Sequence, residues 1–274
     1  MMNTSRKLGF SGIMFYLVNI IFMVNVFGIL LSVIMNSFGK TANRGTWLPE
    51  SFSLKWWDYL FGFHDIKHLL WITMLITLLT VIFSLLIAYP AAYVIAKRRF
   101  AGKNLIMGLF LLPILIPPIS YGLPLAILIY KVRLATTIAG VVIVNMVPTV
   151  SFMILVIMPF IEQIGDNIES ASRMLGANKL QFFTRILIPL TVPGILSASI
   201  LSIVRVISMF ELTFLVAGAK TQTLVVQLFA DVNAPGFRPY QMIDALAVIF
   251  FLVTIALAAI SMKVGNPTQL YTKL

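Results

Sequence analysis

The sequence predicts an all-α membrane protein of six transmembrane helices, with an amphipathic helical hairpin between the fourth and the fifth. Three observations carry that reading. Apolar residues make up 60% of the 274-residue chain and charged residues only 11%. A soluble domain carries about 25% charged residues, so this chain has too little polar surface to cover a water-soluble fold. The apolar residues also gather into runs long enough to cross a hydrocarbon core of about 30 Å. Finally, one long stretch, Gly165 to Pro193, mixes charged and apolar residues at helical spacing.

Ile13 to Met35 is the first span, too long for a signal-peptide core and therefore read as an uncleaved anchor. Residues 36–68 form a polar, aromatic outer loop holding Trp47, Trp56, Trp57 and Tyr59, residues that favour the membrane–water boundary. Leu69 to Ile95 is the second span, closed by Lys97-Arg98-Arg99 and Lys103. Leu105 to Tyr130 is the third. It holds Pro113, Pro117, Pro118 and Pro124, and each proline removes a backbone bond and crowds the turn before it. The span is therefore expected to be broken. Broken backbone at membrane depth survives where protein or a water-filled cavity covers it, so this span is expected to face the bundle interior. Leu134 to Met158 is the fourth span, with Asn145 and Pro148 inside it. Val192 to Val216 is the fifth and Ile243 to Met262 the sixth. Between the last two, the apolar Leu224 to Phe229 is too short to span and is read as re-entrant or interfacial. The chain thus divides into an anchor and outer loop (1–68), a transmembrane domain (69–262, with its hairpin loop at 159–190) and a tail (263–274).

Inside the hairpin, two helix starts are visible. Asp166 with Glu169, and Asn178 with Gln181, each have the spacing of a reciprocal capping box. Gly176 between them suits the left-handed turn that ends a helix, and Pro189 is expected to stop or kink the second helix. Ile168, Ala171 and Leu175 share one face of the first helix, and Leu180, Phe183 and Leu187 one face of the second. The hairpin is expected to bury an apolar side and show a charged one.

These residues resemble a known signature. Ser170-Ala171-Ser172, Met174-Leu175-Gly176-Ala177 and Ile186-Leu187-Ile188-Pro189 are similar to the EAA motif of binding-protein-dependent ABC importer permeases. Anchored on Gly176, the spacing to Ile186 and Pro189 fits. The family's Glu position is Ser170 and its second Ala is Ser172, an acid appears one residue early at Glu169, and Ile188 stands for Leu. The resemblance covers Leu69 to Ala256 and implies a cytoplasmic coupling helix that docks into a cleft on an ATPase subunit. It assigns the coupling contact to Glu169, Ser170, Ala171, Ser172, Leu175, Gly176, Ala177 and Lys179. It further implies a dimer of ATP-binding-cassette subunits carrying ATP and magnesium, a second permease subunit, homologous or identical, and an extracytoplasmic solute-binding protein. Within the family, the Trp-rich outer loop, Arg98-Arg99-Phe100-Ala101-Gly102 and Phe210-Glu211-Leu212 resemble the subgroup importing polyamines such as spermidine and putrescine. Importers of ferric iron, phosphonate, opines and other small organic solutes remain the alternatives of the same class.

Charge sets the expected orientation. With the amino terminus inside, the inner segments hold Arg6, Lys7, Lys97, Arg98, Arg99, Lys103, Arg173, Lys179, Arg185, Lys263 and Lys273. The longer outer segments hold Lys40, Arg44, Lys55, Lys67, Lys131, Arg133, Lys220 and Arg238. The basic density is higher inside, which places both termini and the hairpin in the cytoplasm; the resemblance implies that the membrane is the inner membrane of a bacterium. The net charge of +11, spread over short loops, suits anionic lipid rather than nucleic acid.

No Walker A, His-Glu-x-x-His or Gly-x-Ser-x-Gly pattern occurs in the sequence. There is no cysteine, and His64 and His68 are the only histidines, too few to suggest a metal site. The chain is therefore read as a membrane subunit without its own ATPase site or cofactor. Arg205, Glu211 and Asp244 sit in or near apolar spans, where a charge needs a cavity or a partner. Either Glu211, with Asn145 and Ser208, lines a translocation path and attracts a cationic solute, or Arg205 and Glu211 hold helices together or snorkel near the outer boundary. Asp244 is read as an interfacial cap. A proton- or ion-coupled secondary transporter is the competing function; paired broken helices would support it, and only one proline-broken span is visible.

Overall fold

The computed structural model describes residues 10–40, 49, 51–235 and 239–264, with side chains from residue 14 to 263 within those ranges. The predictions for Arg6, Lys7, Arg44, Trp47, Arg238 and the tail past Val264 fall outside the described residues. Among the described residues all regular elements are helices, and one isolated antiparallel bridge joins Gly39 to Phe52. Two compact units are present: residues 1–65 with 231–249, and residues 66–230 with 250–274.

In the first unit, helix α1 (Phe10–Ser37) is followed by the short α2 (Lys55–Phe63), which lies within residues 36–68. Phe38 stacks on Trp57 at 5.4 Å, and the Trp56 indole donates to the Lys40 carbonyl at 3.3 Å. The His64 ring lies 2.8 Å from the buried Asp231 carboxylate.

The second unit opens with α3 (Ile66–Lys97). It is followed by α4 (Lys103–Leu115) and α5 (Pro118–Lys131), which meet at a bend of 100°. The break falls at Ile116-Pro117, where the residue before a proline is pushed out of the helical region and Ile116 is extended at ψ 133°. The Tyr121 hydroxyl donates to the Pro113 carbonyl at 3.3 Å across the bend. The proline-dense span is broken as expected, and its two halves face differently: α5 buries Gly122, Ala126 and Ile129, whereas no residue of α4 is buried, and Leu105 and Leu115 are 70% and 73% exposed. The break itself satisfies the freed carbonyl through Tyr121, so α4 does not need protein cover from this chain.

Next come α6 (Ile138–Glu162), α7 (Asp166–Met174), α8 (Lys179–Phe182) and α9 (Ile188–Ile207). A π-helical turn, Phe183–Leu187, joins α8 to α9, so the chain runs as one helix over Lys179–Ile207. Pro189 therefore neither stops nor ends the second hairpin helix. The wider turn before it, in which the Ile188 amide reaches the Phe183 carbonyl, makes room for a ring that has no donor and would crowd an α-helical turn. The fifth span consequently starts at the hairpin, earlier than Val192, and ends at Ile207. Residues 208–210 break it before α10 (Glu211–Val216). The segment α11 (Leu224–Val232) is helical, and α12 (Tyr240–Val264) forms the last span. Asp244 is the fifth residue of α12 and not its cap, because the helix starts earlier than the apolar run suggests. Among the described residues, five helices are long and apolar enough to cross a membrane, and the bent α4–α5 pair makes six when it counts as one span.

Two cores hold the second unit. Ala88, Ala92 and Ile95 on α3 meet Met153, Ile157 and Ile161 on α6, with Phe182, Leu187 and Ala198 beyond them. The steps of three and four residues put each set on one stripe of its helix. Nearer the other end, Ile72 and Ile76 pack with Val141, Val144, Leu212 and Val216. Gly194 lets α9 close on α6, since a Cβ there would sit 2.5 Å from the Phe160 ring. The first core reaches down to the hairpin, so the hairpin rests on packed helix.

Candidate functional site

The hairpin α7–α8 is built from local signals, one of which fails. Asn178 and Gln181 form the expected capping box, with reciprocal bonds of 2.8 and 2.9 Å. Gly176 is left-handed, φ 83°, and lets the Ala177 amide reach back to the Ser172 carbonyl at 3.0 Å. The first box does not form. The N-cap of α7 is Gly165, and no side chain caps it. Asp166 and Glu169 are drawn instead to cations at the end of α3.

Those cations define the site. The Lys97 ammonium lies 3.0 Å from Asp166 and also donates to the Ile164 carbonyl. Arg98 donates to Glu169 Oε1 at 2.7 Å and to the Tyr93 hydroxyl at 2.8 Å. Tyr93 in turn donates to Glu169 Oε2 at 3.1 Å, and Arg173, one turn along α7, donates to Oε1 at 2.5 Å. Glu169 thus accepts three charged or hydroxyl donors while its side chain is only 19% exposed. Below it Phe183 meets Tyr89 and Tyr93 edge-on at 5.2 and 5.8 Å, and the Tyr89 and Thr191 hydroxyls are 2.6 Å apart. Ion pairs and rings together tie both arms of the hairpin to one end of α3.

Burial pushes the Glu169 carboxyl up, but the hydrogen bonds from Arg98 and Tyr93 and the charges of Arg98 and Arg173 outweigh it and hold the group below the usual carboxylate range. A depressed pKa stabilises the fold above the unfolded value, about 4.3 for glutamate, and loses that contribution as pH falls through the folded value. Hydrogen exchange of the α7 amides should therefore be flat from about pH 8 to 5 after correction for intrinsic rates, and should accelerate below about 4.3. A Glu169→Gln chain should lack that acid step.

The remaining predicted residues fall into an inner and an outer set. Ser172 is buried and donates to the Glu169 carbonyl at 2.7 Å. Ser170, Ala171 and Lys179 are exposed. Leu175 is 89% exposed, with Met174 at 83% and Leu180 at 71% beside it. The expectation of a buried apolar side and a displayed charged side holds in part: Leu187 is buried and Phe183 packs on the core, and Arg173, Lys179 and Arg185 are displayed, but Leu175 and Leu180 of the same apolar faces are bare. Both acids pair with cations at the end of α3, Glu169 inward and Asp166 still 90% exposed, and the tip adds an apolar cluster to what the hairpin shows. Between its arms lies a groove of about 740 Å³ lined by Tyr93, Arg98, Arg173, Lys179, Leu180 and Phe183 among others.

Farther from the hairpin, the Asn145 amide is buried and donates to Thr213 at 2.8 Å. Ser208 is exposed at the break after α9, and Glu211 opens α10 half-buried, with no hydrogen bond or ion pair among the described residues. No hydrogen bond joins Asn145, Ser208 and Glu211 to one another among the described residues. Arg205 lies over the Phe152 ring at 5.0 Å, a cation–π contact.

Sequence reasoning missed Tyr93, Lys97 and Arg98 as partners of the hairpin. The family model for binding-protein-dependent transport system inner membrane components matches residues 84–268, a stretch that contains both the hairpin and its support. The chain belongs to that family. Among its relatives, the sulfate transport system permease protein CysW of Synechococcus elongatus is 25% identical over 217 residues, 74% of each chain. The molybdenum transport system permease protein ModB of Haemophilus influenzae is 27% identical over 174 residues, 57% of this chain and 76% of that one. Among solved structures, a chain of a bacterial ABC transporter importing the acidic polysaccharide alginate superposes with a TM-score of 0.79 at 18% identity. That match covers 96% of this chain and 99% of the other. A chain of the inward-facing MetNI methionine ABC transporter gives 0.57 at 16% identity, covering 74% and 96%. These two show the fold. A chain of this family is a permease subunit of an ABC importer, a multi-pass membrane protein.

Proposed function

We propose that this permease forms half of a translocation pathway with a second permease subunit, and that α7–α8 is the element that docks onto a cytoplasmic ATPase dimer. One observation carries the reading: a hairpin whose two acids are bonded to α3 presents Met174, Leu175 and Leu180 almost bare. Exposed apolar clusters of this kind mark partner surfaces, and the bonded side gives the hairpin a rigid path into the bundle. ATP and magnesium belong to the partner, an extracytoplasmic binding protein delivers the solute, and both termini lie in the cytoplasm of a bacterium.

Asn145, Ser208 and Glu211 are assigned to the path, because residues 208–210 interrupt the helix there as in the discontinuous helices of transporters. For the solute, two readings each have support. The resemblance to the polyamine subgroup and the Glu211 carboxylate, which has no ion pair among the described residues, favour a small organic cation. The names of CysW and ModB, with Arg205 three residues before Ser208, favour an oxyanion. Vesicles containing the purified assembly test both points. Uptake is expected to require ATP and to ignore a proton gradient, with labelled spermidine competing against sulfate and molybdate to identify the solute class. Uptake driven by a proton gradient without ATP would replace this reading with secondary transport.

A further inference from the structure

The hairpin tip has a net polarity that the motif resemblance does not contain. From Asp166 to Leu187 the acids are Asp166 and Glu169, and the cations are Arg173, Lys179 and Arg185. Asp166 pairs with Lys97, and Glu169 is held by Arg98, Tyr93 and Arg173. Asp166 also lies at the far end of α7, about 12 Å of helix rise from the tip. Lys179 is exposed at the first position of α8, and no ion pair reaches it among the described residues. It lines the groove together with Arg173, whose side chain remains 55% exposed. Next to these cations stand Met174, Leu175 and Leu180, each more than two-thirds exposed. The displayed tip is therefore apolar with a positive edge, and the one exposed acid of the hairpin, Asp166, stands at the far end of α7 paired with Lys97.

We propose that the ATPase surface receiving this hairpin is an apolar socket with an acidic rim, its carboxylate reaching Lys179 and the groove edge at Arg173. The proposal rests on the reading of α7–α8 as the docking element and adds the chemistry of its partner. A partner that offered a cation to an acid on the hairpin would find Glu169 turned away and already paired. A carboxylate from the partner finds an uncompensated ammonium beside a groove deep enough to take a side chain. Complementary charge of this type sets association rate and register, and it is read as salt dependence.

The test uses the full chain, tagged and extracted with its associated subunits, with ATP hydrolysis in the eluate as the measure of bound ATPase across a salt series. Lys179→Arg should match the wild type. Lys179→Gln should weaken association and flatten its salt dependence, and Lys179→Glu should weaken it about tenfold, as expected when like charges are opposed across an interface. Glutamate at the first turn of α8 suits the helix dipole, so a loss in that variant is not a loss of the helix. A Leu175→Asp chain runs in parallel. If Leu175→Asp releases the ATPase while Lys179→Glu holds it as tightly as wild type, the docking reading stands and the acidic rim is overturned. If both variants keep the ATPase, the docking reading falls and the proposal with it.

Discussion

Leu175→Asp is expected to strip the ATPase from the chain while leaving the bundle folded in the membrane. Leu175 is 89% exposed, so the fold loses almost no packing and the change should cost within about 0.5 kcal/mol of stability. The interface loses far more. An apolar contact disappears, and a carboxylate must enter an apolar socket without a partner. Leaving a charge buried and unpaired at an interface costs about 2–5 kcal/mol, a factor of roughly thirty to several thousand in affinity. Co-purified ATP hydrolysis should fall to background, while the thermal unfolding temperature of the solubilised chain stays where it was. Retained hydrolysis would show that the tip is not the docking surface.

Arg98→Ala is expected to do the opposite. The tip is untouched, so the ATPase remains bound and hydrolyses ATP. The brace is cut, because Arg98 donates to both Glu169 and Tyr93. Hydrogen bonds to charged groups contribute about 1.5–3 kcal/mol, enough to turn a stiff connection between α7 and α3 into a loose one. Force applied at the hairpin then dissipates in local motion, and uptake should fall at least about tenfold, the effect of roughly 1.4 kcal/mol. Lys97 and the ring contacts of Phe183 with Tyr89 and Tyr93 still hold the hairpin near its place, so the variant loosens the joint without removing it.

Much of this arrangement can be read from the residues, and the parts that cannot have identifiable causes. The spans follow from apolar runs, and the break in the third from Pro117 and Pro118. The Asn178–Gln181 box and the Gly176 turn are local and form as their spacing implies. The Asp166–Glu169 box has the same spacing and does not form, because Lys97 and Arg98 compete for both carboxylates from 69 and 71 residues away. No local pattern states which of Lys97, Arg98 and Arg99 will meet an acid so distant in sequence. A cue was nevertheless present. The acid stands at 169 where the motif has it at 170, and one residue is about 100° around a helix. That rotation separates the exposed Ser170 from the inward Glu169. Pro189 reads as a stop or a kink, and it is not a stop: a proline predicts a lost bond, but not that a π turn will absorb it.

The most direct test is the number of ATP molecules hydrolysed per solute imported by the reconstituted transporter carrying Arg98→Ala. A brace that transmits force predicts hydrolysis near the wild-type rate with a ratio about tenfold higher. An unchanged ratio, with uptake and hydrolysis both intact, would contradict the claim that the Glu169–Arg98–Tyr93 cluster links the docking hairpin to the spans.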